Sequence, residues 1–378
     1  MKRSKPKMVK IAMLGHKRIP SREGGVEVVV EELAVRMSEL GYEVTCYNRR
    51  GHHVSGAEFD NGSCNVYQGV QIKTVPTIER KGLAAMSASF FAAVCAAFGR
   101  YDVVHFHAEG PCVMLWLPKL LGKRCVATIH GLDHQRVKWG LMARTYIMLG
   151  EKIAAKFADE IIVLSHNVQN YFKDRYNRET KLIPNGVNRP ELRETQLISQ
   201  AFQLCKGEYI LYLGRLVPEK GIRYLIEAFR NVKTEKKLVI AGGSSDSKNF
   251  ARELQNLAEG NPKIIFTGFV QGQMLEELFS NAYLYVLPSD LEGMPLSLLE
   301  AMSYGNCCLV SDIPECADVV MDKGVTFRKG DVADLQEKLQ TLCDRPDIVA
   351  EYKATAQSYI CGKYNWDKVT KETLRIYQ

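Results

Sequence analysis

"AYLYVLPSDLEGMPLSLLEAMSYGNCCLVSD", residues 282–312, decides the fold. The first seven residues are an aromatic and aliphatic run that reads as a buried strand over 282–288. Pro295 brings the preset φ of a first helical position and lacks an N–H that would be orphaned there, so "PLSLLEAMSYG" reads as a helix from Pro295 to Gly305. "CCLVSD", 307–312, is a second short apolar strand. Strand, helix and strand in about thirty residues form the crossover unit of a parallel sheet.

The same alternation fills the chain. Strands are expected at 9–14, 43–48, 70–76, 102–107, 125–130 and 160–165, then at 209–214, 237–242, 263–268, 282–288 and 307–312, with helices between them, notably 25–40 and 141–157. "KLIPNGVNRPELRE", 181–194, has the Pro, Asn and Gly of a connector and marks a domain boundary near residue 190. The fold class is α/β, with two Rossmann-like doubly wound domains facing each other across a cleft at the C-terminal ends of their strands, where such sheets bind ligands.

Composition narrows the function. The 378 residues are 46% apolar, enough for two cores, and no run of eighteen apolar residues would span a membrane. "LAAMSASFFAAVCAAF", 83–98, reads as a helix buried against a sheet, and "MKRSKPKMVK" leads into a strand rather than into the apolar core of a signal peptide. A cytoplasmic protein is expected. Eleven cysteines without a Cys-x-x-Cys pair, several in apolar segments (Cys46, Cys95, Cys125), read as reduced core residues and form neither disulfides nor a zinc site.

Glu292 and Glu300 bracket the start of the helix in the opening stretch. Eight residue steps separate them by ~12 Å at most, too far for the carboxylate pair of a glycosidase. Between them lie the backbone N–H groups of Leu296 and Ser297 and the positive end of the helix dipole, an anion site. A ring with hydroxyls, a diphosphate and a second such ring would fit, and a nucleotide-sugar is that ligand. A surface helix with two solvated glutamates would satisfy this stretch taken alone. "YLGRLVPEKG", 212–221, puts Arg215 and Lys220 on one strand-to-loop connection, where both reach a diphosphate; alone, it is equally a solvated basic loop.

In the first half, "GHKRIPSREGGVEVVVEELAVRM" follows the first strand, and a helix opening at Gly24 and Gly25 lets backbone N–H groups approach an anion. The spacing is not the dinucleotide fingerprint, and Asn48, Arg49 and Arg50 stand where an acidic ribose anchor belongs, which argues against a nicotinamide dehydrogenase. His130 ends a strand and can donate to a sugar hydroxyl. His105 and His107 share one strand face and read as polar residues lining a cleft; a metal site there would need Glu109 or His134 as a third ligand.

Four segments in order, "SREGGVE", "YLGRLVPEKG", "SDLEGMPLSLLEAMSYG" and "YNWDKVTKETLRIYQ", resemble the retaining glycosyltransferases of family 4, which have the GT-B fold. "IPSREGGVEVVVEELA" further resembles a bacterial subgroup that includes rhamnosyltransferases of capsule and exopolysaccharide assembly. The resemblance implies that Gly24 and Gly25 face the donor diphosphate and that Arg215 and Lys220 neutralise it. His130 and Glu292 would hold the transferring sugar and Glu300 the ribose, while Met294, Pro295, Leu296 and Ser297 present backbone donors. It implies front-face transfer of a hexosyl or deoxyhexosyl group with retention, no enzyme nucleophile, and neither cofactor nor metal. It also implies a helix at about 360–378 that crosses back onto the acceptor-binding domain, 1–190, leaving 191–359 as the donor-binding domain. An epimerase of the same layout would convert donor without acceptor and needs further acid–base residues; a silent nucleotide-sugar binder would not need the intact cations and glutamates.

Charge suggests the acceptor. Residues 1–190 carry 28 basic and 17 acidic side chains, a balance of +11, against −4 for the rest. The excess includes Lys2, Arg3, Lys5, Lys7, Lys17, Arg18, Arg22, Arg49 and Arg50. Basic segments are drawn to anionic lipid surfaces, so a peripheral protein docked on the inner leaflet and acting on a polyprenyl-diphosphate-linked saccharide is expected, with no nucleic-acid partner. A basic surface that only aids solubility is the alternative.

Overall fold

The computed structural model describes residues 8–51, 56, 64–80, 82–136, 139–243 and 248–378. The chain divides into two compact units, Met1–Asn185 with Trp366–Gln378, and Gly186–Asn365. These junctions fall five or six residues from the expected boundaries near 190 and 360.

In the first domain the strands are β1 Lys10–Leu14, β2 Glu43–Arg49, β3 Val66–Tyr67, β4 Val70–Val75, β5 Val103–His107, β6 Arg124–Ile129, β7 Glu160–Val163 and β8 Lys181–Leu182. They form one sheet in the order β3-β4-β2-β1-β5-β6-β7-β8, parallel except where β3 runs against β4 at the edge. In the second domain β9 Tyr209–Leu213, β10 Lys237–Ala241, β11 Ile264–Gly268, β12 Leu284–Leu287, β13 Cys308–Ser311 and β14 Val325–Phe327 form a fully parallel sheet, β11-β10-β9-β12-β13-β14. Both sheets wind outward from their first strand and then return to its other side. The winding reverses between β1 and β5 and between β9 and β12, and these are the ligand-binding switch points of doubly wound sheets. The central strands are buried along their length, as helices on both faces demand.

One face of the first sheet is covered by helices Leu83–Phe98 and Leu141–Phe157. Ala88, Ala92, Ala93 and Ala96 pack with Val104, Phe106, Ala127 and Ile129. Burial of helix 83–98 is therefore confined to its small-residue side, because Leu83, Met86, Phe90 and Phe98 recur every three, four or eight residues on the opposite side and are exposed. Cys95 is exposed too, whereas Cys46 and Cys125 are buried; all eleven cysteines are free thiols.

Helix Trp366–Ile376 belongs to the first domain and packs on helix Gly25–Glu39. The Arg124 guanidinium donates twice to the Ile376 carbonyl, at 2.9 and 2.7 Å, and Arg36 reaches Asp367 at 3.0 Å. In the second domain Val187 N–H donates to the Tyr364 carbonyl at 2.9 Å, tying together that domain's two chain ends.

Candidate functional site

The second-domain site is made by the loops after β9 and β12. The loop after β9 closes in one 3-10 turn, Pro218–Lys220, and Gly221 ends it with φ +65°. A Cβ at Gly221 would lie 1.8 Å from the Pro288 carbonyl oxygen, so only glycine lets this loop press against the end of β12. Asp290 N–H then donates to the Glu219 carbonyl at 2.9 Å, linking the two loops. This contact sets Lys220 Nζ 2.5 Å from Glu292 Oε1, across 72 residues of sequence. Ser289, fully buried, donates to the same oxygen at 2.7 Å. Sequence reasoning gave Lys220 to a diphosphate and Glu292 to a sugar as separate roles; the structure makes them an ion pair. Among the described residues both bonds fall on Oε1, which leaves the lone pairs of Oε2 for another donor.

The expected helix runs from Leu296 to Ser303, with Pro295 as its cap at φ −74° and ψ 107° rather than as its first turn. Its carbonyl accepts from Leu298 and Leu299. The N–H groups of Leu296 and Ser297, both partly exposed, precede the first intrahelical bond at the positive end of the dipole. Tyr285 Oη donates to Ser297 Oγ at 2.9 Å and fixes that first turn against β12. Met294 and Pro295 are buried, and Glu300 lies partly exposed on the second turn. Arg215, partly exposed, follows β9 directly, and Tyr212 Oη holds its carbonyl at 3.1 Å. A buried ion pair, a half-exposed guanidinium and a helix N-terminus thus share one sheet edge.

In the first domain Gly24 caps helix Gly25–Glu39. Glu27, buried on that helix's first turn, accepts from Lys17 N–H at 2.8 Å, and a Cβ on Gly24 would come within 2.5 Å of its other oxygen. Gly24 therefore also makes room for a carboxylate of its own helix, a residue sequence reasoning did not single out; the signal was its place three residues after the cap. Burial works to raise the Glu27 pKa, but the charge and N–H of Lys17 outweigh it and hold the carboxyl below the usual range.

Four histidines gather where β1, β5 and β6 end. Gly15 makes this possible: with φ +110° it brings the loop after β1 so close to β5 that a Cβ would meet the His107 carbonyl oxygen at 2.1 Å. His16 Nε2 lies 3.1 Å from Asn48 Oδ1, and burial lowers its pKa to about 4. His105 sits between Tyr377 Oη at 2.6 Å and Thr128 Oγ1 at 2.7 Å, lowered by burial to about 3. His107 Nδ1 lies 3.1 Å from His130 Nε2; burial drives His107 well below the ordinary histidine range and His130 to about 4. All four rings are neutral at pH 7.

His105 and His107 do share a strand face, yet both are fully buried instead of lining a cleft. For His105 the reason is helix Trp366–Ile376, which delivers Tyr377 onto its ring, and His107 is closed in by the loop at Gly15 and the ring of His130. Glu109 and His134 are engaged elsewhere: Glu109 Oε1 accepts from Asp133 N–H at 2.9 Å, and His134 Nδ1 bonds Glu151 at 2.6 Å. His107 Nε2 is buried without a partner among the described residues. A bare nitrogen costs less there than an orphaned N–H, so His107 carries its proton on Nδ1 and donates it to His130 Nε2. Partly exposed His130 is then left with N–H at Nδ1, a hydrogen-bond donor.

Comparison with known proteins bears on both domains. Residues 23–189 match the family described as Glycosyltransferase Family 4, and residues 195–359 the family Glycosyl transferases group 1. An uncharacterized glycosyltransferase of Methanocaldococcus jannaschii is 24% identical over 98% of each chain. The Escherichia coli UDP-Gal:alpha-D-GlcNAc-diphosphoundecaprenol alpha-1,3-galactosyltransferase is 29% identical over 57% of this chain and 58% of its own. The crystal structure of Anabaena HepE in complex with UDP and glucose superposes with a TM-score of 0.79 at 16% identity, covering 97% and 98% of the two chains. With one match in each of its two Rossmann-like domains, the chain belongs to the GT-B glycosyltransferases of group 1 and family 4.

Proposed function

We propose that the protein transfers a hexosyl or deoxyhexosyl group, with retention and without a metal, from a nucleotide-diphosphate sugar to a polyprenyl-diphosphate-linked saccharide in cell-surface polysaccharide assembly, the rhamnosyltransferase-like role its first-domain motif suggests. The observation that carries the reading is the buried Lys220–Glu292 pair beside the helix at Leu296, on the switch point of the second sheet. The donor belongs on that domain. Its diphosphate draws on Arg215, Lys220 and the Leu296 and Ser297 N–H groups, with Gly24 and Gly25 facing it from the first domain; as the bond to the sugar breaks, these charges take up the negative charge that develops on the leaving phosphate. Glu292 Oε2 accepts from a sugar hydroxyl, His130 Nδ1 donates to another, and Glu300 accepts from the ribose. Neither glutamate has to act as nucleophile: the acceptor hydroxyl attacks from the side the diphosphate leaves, and the departing phosphate takes its proton. The acceptor belongs on the first domain, and the name of the Escherichia coli relative, whose acceptor sugar is carried on diphosphoundecaprenol, supports the lipid-linked class.

The test is transfer from a panel of radiolabelled nucleotide-sugars to a synthetic polyprenyl-diphosphate saccharide, with the new anomeric linkage read by NMR. A product of inverted configuration, or activity abolished by EDTA and restored by Mg²⁺, would overturn the mechanism. Transfer only to water-soluble sugars would overturn the acceptor class.

A further inference from the structure

We propose that the outer faces of helices Leu83–Phe98, Trp116–Leu120 and Leu141–Phe157 form a docking surface for an anionic lipid bilayer. The inference rests on the lipid-linked acceptor reading above and locates the membrane contact. The three helices form one layer: the first and third both pack on the 3-10 turn Gly110–Met114, and the short second helix touches each of them. Helix 83–98 has its side chains the wrong way round for water. Its alanines face the sheet, and its large residues Leu83, Met86, Phe90 and Phe98 face out. Among the described residues that helix carries no charge on either face, a pattern suited to a buried or lipid-contacting helix and not to a solvent-facing one. Its neighbours extend the patch with Trp116, Leu120, Leu121, Leu141, Met142 and Leu149; Met142 is 89% exposed and Leu141 82%. Large apolar side chains exposed in this number on one layer of helices mark an interaction site.

Charge selects the occupant. From residue 82 to 157 the described acidic residues are Asp102, Glu109, Asp133 and Glu151, and none is exposed: Glu109 and Glu151 are buried, and the other two are partly so. Arg100, Arg144, Lys152 and Lys156 are exposed. Large apolar side chains among cations, with carboxylates withdrawn, suit the headgroup and acyl boundary of an anionic leaflet. No helix among the described residues is long and apolar enough to cross a membrane, so the contact is interfacial.

Of the cations first expected to dock, Arg22 and Arg50 are exposed, whereas Arg18 and Arg49 are only partly so. Lys2, Arg3, Lys5 and Lys7 lie outside the described residues. Arg18 donates to the Gly51 carbonyl at 2.5 Å, and burial lowers the pKa of Arg49 against the pull of Glu27 and Glu23. The apolar layer has a topological merit as well. Helices 83–98 and 141–157 follow β4 and β6 and so begin at the C-terminal edge of the sheet, where His16, His107 and His130 gather. Leu83, Met86, Leu141 and Met142 therefore sit at the same edge as those rings.

The experiment is co-sedimentation of the full chain with vesicles of phosphatidylcholine alone or mixed with phosphatidylglycerol, at low and high salt. Wild-type protein should bind the anionic vesicles, with part of the binding surviving 0.5 M salt on the order of that carried by apolar insertion. Leu141→Ser with Met142→Ser, and separately Phe90→Ser with Phe98→Ser, should cut partitioning at least about tenfold at both salt levels while circular dichroism stays native. Lys152→Glu with Lys156→Glu should abolish the preference for anionic vesicles. Two results would overturn the proposal: wild-type protein that ignores anionic vesicles, or a concentration-dependent dimer in ultracentrifugation that the serine variants dissociate. Vesicle binding needs no substrate. Its failure with sugar transfer intact would strike only this surface, and its success without transfer would strike only the proposed reaction.

Discussion

Replacing Glu292 with Gln removes one charge of the pair while keeping size and a carbonyl for Ser289. The Lys220 and Glu292 side chains are 12% and 7% exposed, so the small worth of a surface ion pair does not apply. Breaking a buried pair on one side costs ~3–5 kcal/mol, and the surviving amide should recover part of it, leaving a loss of about 2–3 kcal/mol. For a unit of 180 residues, Gly186–Asn365, that is a fall in melting temperature of roughly 5–10 °C. Binding should move the other way. In the wild-type protein a diphosphate has to share Lys220 with Glu292, whereas in the variant the ammonium has no other ion-pair partner among the described residues, so a nucleoside diphosphate should bind as well or better and restore the lost melting temperature. Turnover should nonetheless fall about 10²–10³-fold, because the sugar loses its carboxylate. Melting curves with and without nucleoside diphosphate, calorimetric affinity and initial rates make up the assay. A variant with wild-type melting temperature, or one whose diphosphate affinity drops in step with its rate, would refute the reasoning.

Glu300→Gln should weaken nucleotide-sugar and free nucleoside diphosphate alike, by about tenfold for one ribose hydrogen bond to a charged acceptor, and unequal losses in calorimetry would remove it from the ribose. His16, held near pKa 4 against 6.5 when unfolded, binds fewer protons folded than unfolded between those values, so its contribution to stability is complete above pH 6.5 and lost as pH falls toward 4. That amounts to on the order of 3 kcal/mol. Because burial shifts Glu109 upward and gives the opposite slope, the readout is the difference between wild-type and His16→Gln melting curves over that range, and parallel curves would exclude the effect. Long-range proton–nitrogen spectra of histidine-labelled protein at pH 7 should show His130 protonated on Nδ1; protonation on Nε2 would reverse the direction of the His107–His130 bond.

The sheets were legible because their central strands are continuous apolar runs, and eleven expected strands correspond to elements within a residue or two. The strands not foreseen, β3, β8 and β14, are two or three residues long and half exposed, too short to carry a periodic signal. Arg215, Lys220, Glu292 and Glu300 could be picked out because each lies at a fixed offset from a strand end or a helix start. The Lys220–Glu292 bond could not, since it depends on Gly221 letting one loop lie against Pro288. Helix 83–98 misled for a physical reason: composition gives the number of apolar residues, and only the rotation of the helix tells whether alanine or phenylalanine meets the sheet. His105 misled similarly, because Tyr377 covers it from the far end of the sequence, and His107 because the loop at Gly15 and the ring of His130 close over it.

The return of Trp366–Gln378 to the first domain has a consequence for biosynthesis. A ribosome working from the N-terminus makes the eight-stranded sheet first, yet the Arg124 guanidinium and the His105 ring wait for Ile376 and Tyr377 until all of Gly186–Asn365 has been translated. During that interval the nascent sheet has one face without its last helix and a buried histidine open to water. The second domain is continuous and can close as soon as it emerges, drawing its two chain ends together through Val187 and Tyr364. The domain begun first is thus the one completed last, and the speed with which the inserted domain folds sets how long the older half is exposed to proteases and chaperones.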